Sequence, residues 1–339
     1  MHIKEQTLDD LLINIYKRFL KVKEIEAATK GNFKELTGVL IELKNPRSRL
    51  SRTEGRGKLF SCLGELAWYL SGSNELAFIT HYIKKYVHYS DDEITVYGAY
   101  GPRFMGENEN RQIFNVIDLL RKKPTSRQAV IQLFDSKDIL EKHNDIPCTC
   151  TMQFLIRKNK LHMFTSMRSN DVFLGLPHDI FTFTMIQEII ANSLNCKLGS
   201  YKHYVCSLHI YEKDLEKADA YINSGYQDKI QMPAMPRGDP WRSVNKVLKA
   251  EESIRLGEIV DVESLDLDEY WSDIIRIFQF FKHTSPPEDD RKAIEVLSNI
   301  KHSVYSAYLE QRRHVKKKTP NKKQTEIEFE ENTTEKCSK

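Results

Sequence analysis

The chain predicts an α+β fold in one large domain, and three observations carry that prediction. Strand-like runs rich in β-branched and aromatic residues concentrate between positions 129 and 211. Long apolar stretches at helical spacing flank them on both sides, and no internal repeat divides the 339 residues.

Taken in order, residues 8–28 carry apolar positions at helical spacing and predict an amphipathic helix. Residues 58–70 (KLFSCLGELAWYL) are mostly apolar and stop before Ser71-Gly72, which predicts a buried helix. Residues 75–86 and 110–123 read as further helices, the second ended by Pro124. Residues 129–134, 151–156 and 161–167 predict strands, the last two joined by a short basic turn at 157–160. An apolar helix over 181–194 and an aromatic-rich strand over 201–211 follow. From about Pro240 the pattern is helical again, through 270–282 and 289–311. Residues 312–339 run from a lysine block into a glutamate block with little to bury, and are expected to be a solvated tail beyond a domain at 1–311.

Bulk composition narrows the function classes. Hydrophobic residues make up 40% of the chain, enough for a sizeable core, and no uncharged apolar run is long enough to span a membrane. Lys+Arg 51 against Asp+Glu 48 gives +3, so charge offers no argument for nucleic-acid binding. Six irregularly spaced cysteines do not resemble a disulfide framework, and the opening MHIKEQTLDDLL has acidic residues and no apolar signal core. A reducing, cytoplasmic setting is the expectation.

The chemistry gathers in DIPCTCTMQFLIRKNKLHMFTSMRSNDVFLGLPHD, residues 145–179. Cys148 follows Pro147 at a strand entrance. It is either a nucleophile, activated if Arg168 lies beside it in a hairpin, or a buried inert thiol. Cys150 lies two residues on, and a lone C-x-C pair is weak as a metal site. Arg168-Ser169 offers a planar fork and a hydroxyl suited to a phosphate, or else belongs to a surface ion-pair network with Asp171. Gly175-Leu176-Pro177 is expected to bring backbone close to something before a helix begins, leaving Asp179 as a helix cap or as something more specific. Glu65 lies inside the apolar 59–70 run. If buried, it carries a raised pKa useful for proton transfer; if not, it faces solvent. A small anionic ligand, a thiol and a buried acid together suggest covalent catalysis.

These motifs, in this order, resemble the thymidylate synthase family, including its cytidylate hydroxymethylase branch. The resemblance rests on Pro147-Cys148 with Gln153-Phe154, Arg168-Ser169-Asn170-Asp171, Leu174-Gly175-Leu176-Pro177, His209-Ile210-Tyr211, Glu65-Leu66-Ala67-Trp68 and Val96-Tyr97-Gly98. It implies a single domain with a central mixed sheet flanked by helices. It also implies 5,10-methylenetetrahydrofolate as one-carbon donor and a homodimer in which Arg127 reaches the partner's phosphate site. Cys148 would add to C6 of a pyrimidine nucleotide, Glu65 would organise water and move protons, and Tyr97 would assist C5 deprotonation. Arg168 and Ser169 would hold the phosphate, His209 and Tyr211 the sugar, Asp171 and Gly175 the folate and base.

Departures from the family pattern carry the finer expectations. Asp179 stands where the family reads uracil with an asparagine. A carboxyl that shares a proton at N3 and accepts from the 4-amino group matches cytosine instead. No tryptophan lies between Gly72 and Gly98, where shielding indoles are expected; Tyr82, Tyr86 and Tyr89 stand there. Weaker exclusion of water favours a hydroxymethyl product. The expected activity is therefore 5-hydroxymethylation of cytidylate or deoxycytidylate, with methylation of deoxyuridylate as the alternative. Thr149 replaces a histidine, Gln128 an arginine and Ser207 an aspartate. In place of the family's glycine-containing phosphate loop, Arg47 and Arg49 in NPRSRLSR are either phosphate contacts or part of a solvated basic loop.

Overall fold

The computed structural model describes residues 1–27, 31–53, 58–106 and 111–317, the side chains of 314–317 excepted. One six-stranded mixed sheet is flanked by helices, in the order β1-β2-β6-β5-β4-β3. Its strands are β1 (His2–Glu5), β2 (Phe33–Leu43), β3 (Val130–Gln132), β4 (Thr149–Arg157), β5 (Lys160–Asp171) and β6 (Lys197–Tyr211). β4 and β5 form the expected antiparallel hairpin, while β5 runs parallel to β6 and β6 antiparallel to β2. The helices are α1 (Leu8–Phe19), α2 (Leu59–Leu70), α3 (Leu76–Tyr82), α4 (Tyr100–Met105), α5 (Gln112–Lys122), α6 (Gly175–Ser193), α7 (Leu215–Asn223), α8 (Trp241–Leu256), α9 (Glu269–His283), α10 (Asp290–Asn299) and α11 (Ser306–Lys317).

Several boundaries differ from the sequence prediction for identifiable reasons. α1 stops at Phe19, because Glu26 exchanges backbone hydrogen bonds with Phe33 and turns the chain back toward β2. α6 begins six residues early. Pro177 lies in its first turn, where a helix needs no N–H, so the proline starts the helix and does not precede it. The helix expected over 289–311 is broken after Asn299, where the buried Asp273 carboxylate takes the backbone N–H groups of Lys301 (3.1 Å) and His302 (2.8 Å). α11 then extends to Lys317, past the expected domain end at 311, with Arg312 packed over Phe281 at 4.2 Å. Residues 318–339 of the expected tail lie outside the described residues.

Three strands lose their two-residue alternation at the same level of the sheet, and this positions the site. In β6, Val205 and Leu208 are both buried with Cys206 and Ser207 between them; in β5 the same holds for Met167 and Asn170. β4 carries a register shift between Thr149 and Thr151, and Gly38 of β2 adopts φ 63°, which favours glycine. Such irregularities re-aim side chains. Here they bring Asn170 toward α6 and leave Ser169, Asp171, His209 and Tyr211 half-buried at one end of the sheet.

Candidate active site

Cys148 sits half-buried at the entrance to β4, and Arg168 surrounds it from the neighbouring strand. The Arg168 backbone N–H donates to the Cys148 carbonyl (2.9 Å). Its guanidinium donates to the carbonyls of Pro147 (3.0 Å) and Ile146 (3.0 Å) and lies 3.6 Å from the Cys148 Sγ. One cation therefore clamps the peptide ahead of the thiol and places positive charge beside the sulfur, which favours the nucleophilic thiolate. On the other side, the Thr149 N–H donates to the buried Tyr100 hydroxyl (3.0 Å). A Cβ at Gly98 would fall 2.4 Å from Asp145 Oδ2 and 3.2 Å from its backbone carbon, so glycine lets this turn lie close against the segment leading to Cys148.

Glu65 projects from α2 into the interior and is only 5% exposed. Oε1 accepts from the Tyr86 hydroxyl (2.8 Å), whereas Oε2 is buried with no protein partner. Burial pushes its ionisation up to about 7, partly offset by the Tyr86 hydrogen bond and the nearby Tyr69 hydroxyl. Glu65 is thus a carboxyl poised near neutrality with one oxygen left for water or substrate, the condition expected of a general acid–base group.

Asp179 lies in the second turn of α6 and does not cap it. Its Oδ2 accepts from the Asn170 side-chain amide (2.6 Å). Burial, then the nearby Glu65 charge, raises its ionisation well above the usual carboxylate value, which favours the protonated form. A Cβ at Gly175 would lie 3.6 Å from both Asp179 Oδ2 and Asn170 Oδ1, so the glycine leaves this corner open. Asp171 builds the turn into α6, its Oδ1 accepting from the N–H groups of Phe173 (2.8 Å) and Leu174 (3.0 Å).

The sheet register gathers the remaining polar groups. Ser169 pairs with Ser207 and Asp171 with His209 across β5 and β6. Ser169 Oγ lies 3.5 Å from His209 Nδ1. Phe33 of β2 packs on both His209 and Tyr211, with ring centroids 5.6 Å and 6.3 Å away respectively. Ser207, where the family has an aspartate, donates to Glu35 of β2, so an adjacent strand supplies the carboxylate.

Four other candidates stand elsewhere. Tyr97 stacks on His143 (3.5 Å between centroids) beside Asp138, and lines a cleft of about 680 Å³ with Arg103, Gln132 and Asp135 that does not include Cys148. The tyrosines that feel the Cys148 charge are Tyr89, Tyr100 and Tyr211. Arg49 is a correction: it is fully buried and ion-paired to Glu188 of α6. That is nine residues along the helix from Asp179, or roughly 13 Å at the helical rise. Arg47 also turns inward, its Nε enclosed and its charge felt by Tyr270 of α9. Arg49 thus ties its loop to α6 and is not free for a phosphate, whereas Arg47 stays half-buried with its Nε unpartnered. Arg127 is exposed near β3, with its carbonyl accepting from Gln153 (2.7 Å).

Sequence reasoning passed over Tyr100, Phe33 and Asn170, and noted Tyr86 only as a substitute for an indole. Asn170 was visible inside the Arg-Ser-Asn-Asp motif. The others carry no local signal, because each reaches the site from a separate element.

A family model described as thymidylate synthase matches residues 31–239. The chain is 31% identical over 218 residues to a deoxyuridylate hydroxymethyltransferase of Bacillus phage SP01, covering 60% of this chain and 57% of that protein. It is 30% identical over 220 residues to a deoxyuridylate hydroxymethyltransferase of Delftia phage PhiW-14, covering 58% of this chain and 61% of that protein. A thymidylate synthase of Mycoplasma mobile is 28% identical over 168 residues, covering 49% of this chain and 54% of that protein. The chain thus spans less than two thirds of each of these relatives. With the family model matching more than half of its length around this thiol, guanidinium and carboxyl cluster, the chain belongs to the thymidylate synthase family.

Proposed function

We propose that the protein transfers a one-carbon unit to C5 of a cytosine nucleotide, cytidylate or deoxycytidylate, and that water completes the product as a 5-hydroxymethyl group. The carrying observation is Asp179: a carboxyl held by the Asn170 amide, its ionisation pushed up by burial, at the position where the family reads uracil with an amide. One oxygen donates its proton to N3 and the other accepts from the 4-amino group, which satisfies both sides of the cytosine edge.

The residues divide the work as follows. Arg168 favours Cys148 as thiolate through Nη2 and offers its Nη1, with Ser169, to the 5′-phosphate. His209 and Tyr211 take the sugar, with Phe33 closing that side. Cys148 adds to C6, and the electron pair it displaces makes C5 the nucleophile. Methylenetetrahydrofolate, when bound, supplies the one-carbon unit at the formaldehyde oxidation level. Gly175 and the Asp171 turn, together with Tyr86 and Tyr89, provide its wall. Glu65 Oε2, buried and unpartnered, takes a proton from the water that adds to the C5 methylene carbon. Expulsion of the Cys148 sulfur then restores the ring. In balance, the C5–carbon bond would replace the C5–H bond and the carbon's bonds to the folate nitrogens. The C5 proton and the proton taken from water would end on those nitrogens as tetrahydrofolate leaves, and water supplies the hydroxyl with no net oxidation.

Hydroxymethylation is favoured over methylation by Tyr86. At the level where a shielding indole is expected, its hydroxyl donates to Glu65 and so keeps a polar, water-binding group beside the acid. A second reading, the same chemistry on deoxyuridylate, is favoured by the substrate named for two of the relatives. A homodimer with Arg127 acting in trans is supported by the sheet face away from the helices, where Tyr204 is 40% and Val130 41% exposed beside the half-buried Leu155 and Phe164.

The test is product mass after incubation of cytidylate, deoxycytidylate and deoxyuridylate with methylenetetrahydrofolate. A cytosine nucleotide should gain about 30 Da, the mass of CH₂O, without dihydrofolate absorbance. Asp179→Asn should reverse the base preference by on the order of a hundredfold. Turnover of deoxyuridylate alone, with dihydrofolate released, would rule the proposal out.

A further inference from the structure

We propose that Asn170 is a specificity-determining residue, because its amide dictates which Asp179 oxygen accepts and which carries the proton toward the base. This inference rests on Asp179 reading the base. A carboxyl presents its donor and acceptor in either order: one order fits cytosine, the other uracil. Nothing in Asp179 itself chooses between them, so a neighbour must.

Asn170 is placed to choose. It is 4% exposed at the end of β5. Its Nδ2 lies 2.6 Å from Asp179 Oδ2 and 2.9 Å from the Met167 sulfur. A thioether accepts hydrogen bonds and cannot donate them, so the end of the amide that touches both atoms is the NH₂. Both its protons are then committed, one to the sulfur and one to Oδ2. A donor at Oδ2 favours the carbonyl oxygen there, because a carbonyl accepts better than a hydroxyl, and so places the acidic proton on Oδ1. Gly175 keeps backbone and side chain off this corner, since even a Cβ there would only touch Asn170 Oδ1 and Asp179 Oδ2 at 3.6 Å. The other ionisable groups acting on Asp179 are Glu65 and Tyr69 from α2, Tyr100 from α4, Asp171 from β5 and Tyr201 from β6. Among these interactions, the bond from Asn170 is the one that acts on a single named oxygen.

The experiment compares cytosine and uracil nucleotides in binding (Kd by titration calorimetry) and in kcat/KM, across pH, for the wild type and Asn170→Leu, which has a similar shape but no amide. The cytosine-to-uracil ratio should fall by about tenfold, the worth of one buried hydrogen bond. The alkaline limb of cytosine binding should move to higher pH, because the lost donor favoured the ionised carboxyl. Asn170→Ser, whose hydroxyl still donates, should recover part of the ratio, and it stands in if the leucine variant fails to fold. Equal losses on both bases with an unmoved pH limb would make Asn170 merely structural and overturn the proposal. A wild type that prefers uracil would defeat the cytosine reading alone. Asn170→Leu should then erode the uracil preference, and an unchanged preference would overturn this inference as well.

Discussion

Replacing Glu65 by glutamine should remove activity and yet make the folded protein more stable at alkaline pH. The carboxyl ionises at about 7 in the fold against an ordinary value of 4.5. Between those two values the folded chain holds a proton that the unfolded chain has released, so stability falls as pH rises through that window. Below it the effect vanishes, and above it the full penalty is in force. At about 1.4 kcal/mol per pH unit, the ionised Glu65 costs the fold about 3 kcal/mol at pH 8. Glutamine keeps the Tyr86 hydrogen bond to its carbonyl but buries an NH₂ where Oε2 has no partner, which returns roughly 1–2 kcal/mol. The net expectation is a stabilisation of about 1–2 kcal/mol at pH 8, giving way to a loss at pH 4. Urea unfolding of the nucleotide-free proteins at both pH values measures it, and turnover should drop at least about a hundredfold. Equal stability differences at the two pH values would refute the buried, pH-tuned carboxyl.

Two further outcomes follow from the same geometry. Cys148→Ser should abolish turnover and also the covalent adduct with a 5-fluoropyrimidine nucleotide, in which the fluorine cannot leave as a proton. Intact-protein mass spectrometry reads this directly, and an adduct persisting in the variant would place the nucleophile elsewhere. Arg49→Met should destabilise the protein by about 3–5 kcal/mol by stranding the buried Glu188 charge. Arg49→Met combined with Glu188→Met should recover most of that loss. The nucleotide KM of folded Arg49→Met should stay unchanged, and a large rise would return Arg49 to the phosphate.

Legibility in the sequence followed the range of the interactions. The β4–β5 hairpin, the buried α2 and the long α6 were readable because alternation and helical periodicity are local. β1 and β2 were not: β1 is four residues with a lysine and a glutamate, and β2 is interrupted by Gly38 and acidic positions. Arg49 illustrates the harder failure. An arginine written beside another arginine looks like a phosphate contact, and only the fold shows that Glu188, distant in sequence, claims Arg49.

From the residues alone came the central strands and flanking helices, the family, Cys148 as candidate nucleophile and the presence of an aspartate where an amide is usual. Tertiary structure decided what those groups are chemically. Glu65 became a near-neutral acid because α2 turns it inward and Tyr86 meets it. The ionisation of Asp179 is pushed up because α6 buries it near Glu65, and Asn170 of β5 meets its Oδ2 across that interface. Ionisation and proton position depend on desolvation and on partners brought from distant segments. A linear sequence names the groups, but their protonation is settled only once the chain has folded around them.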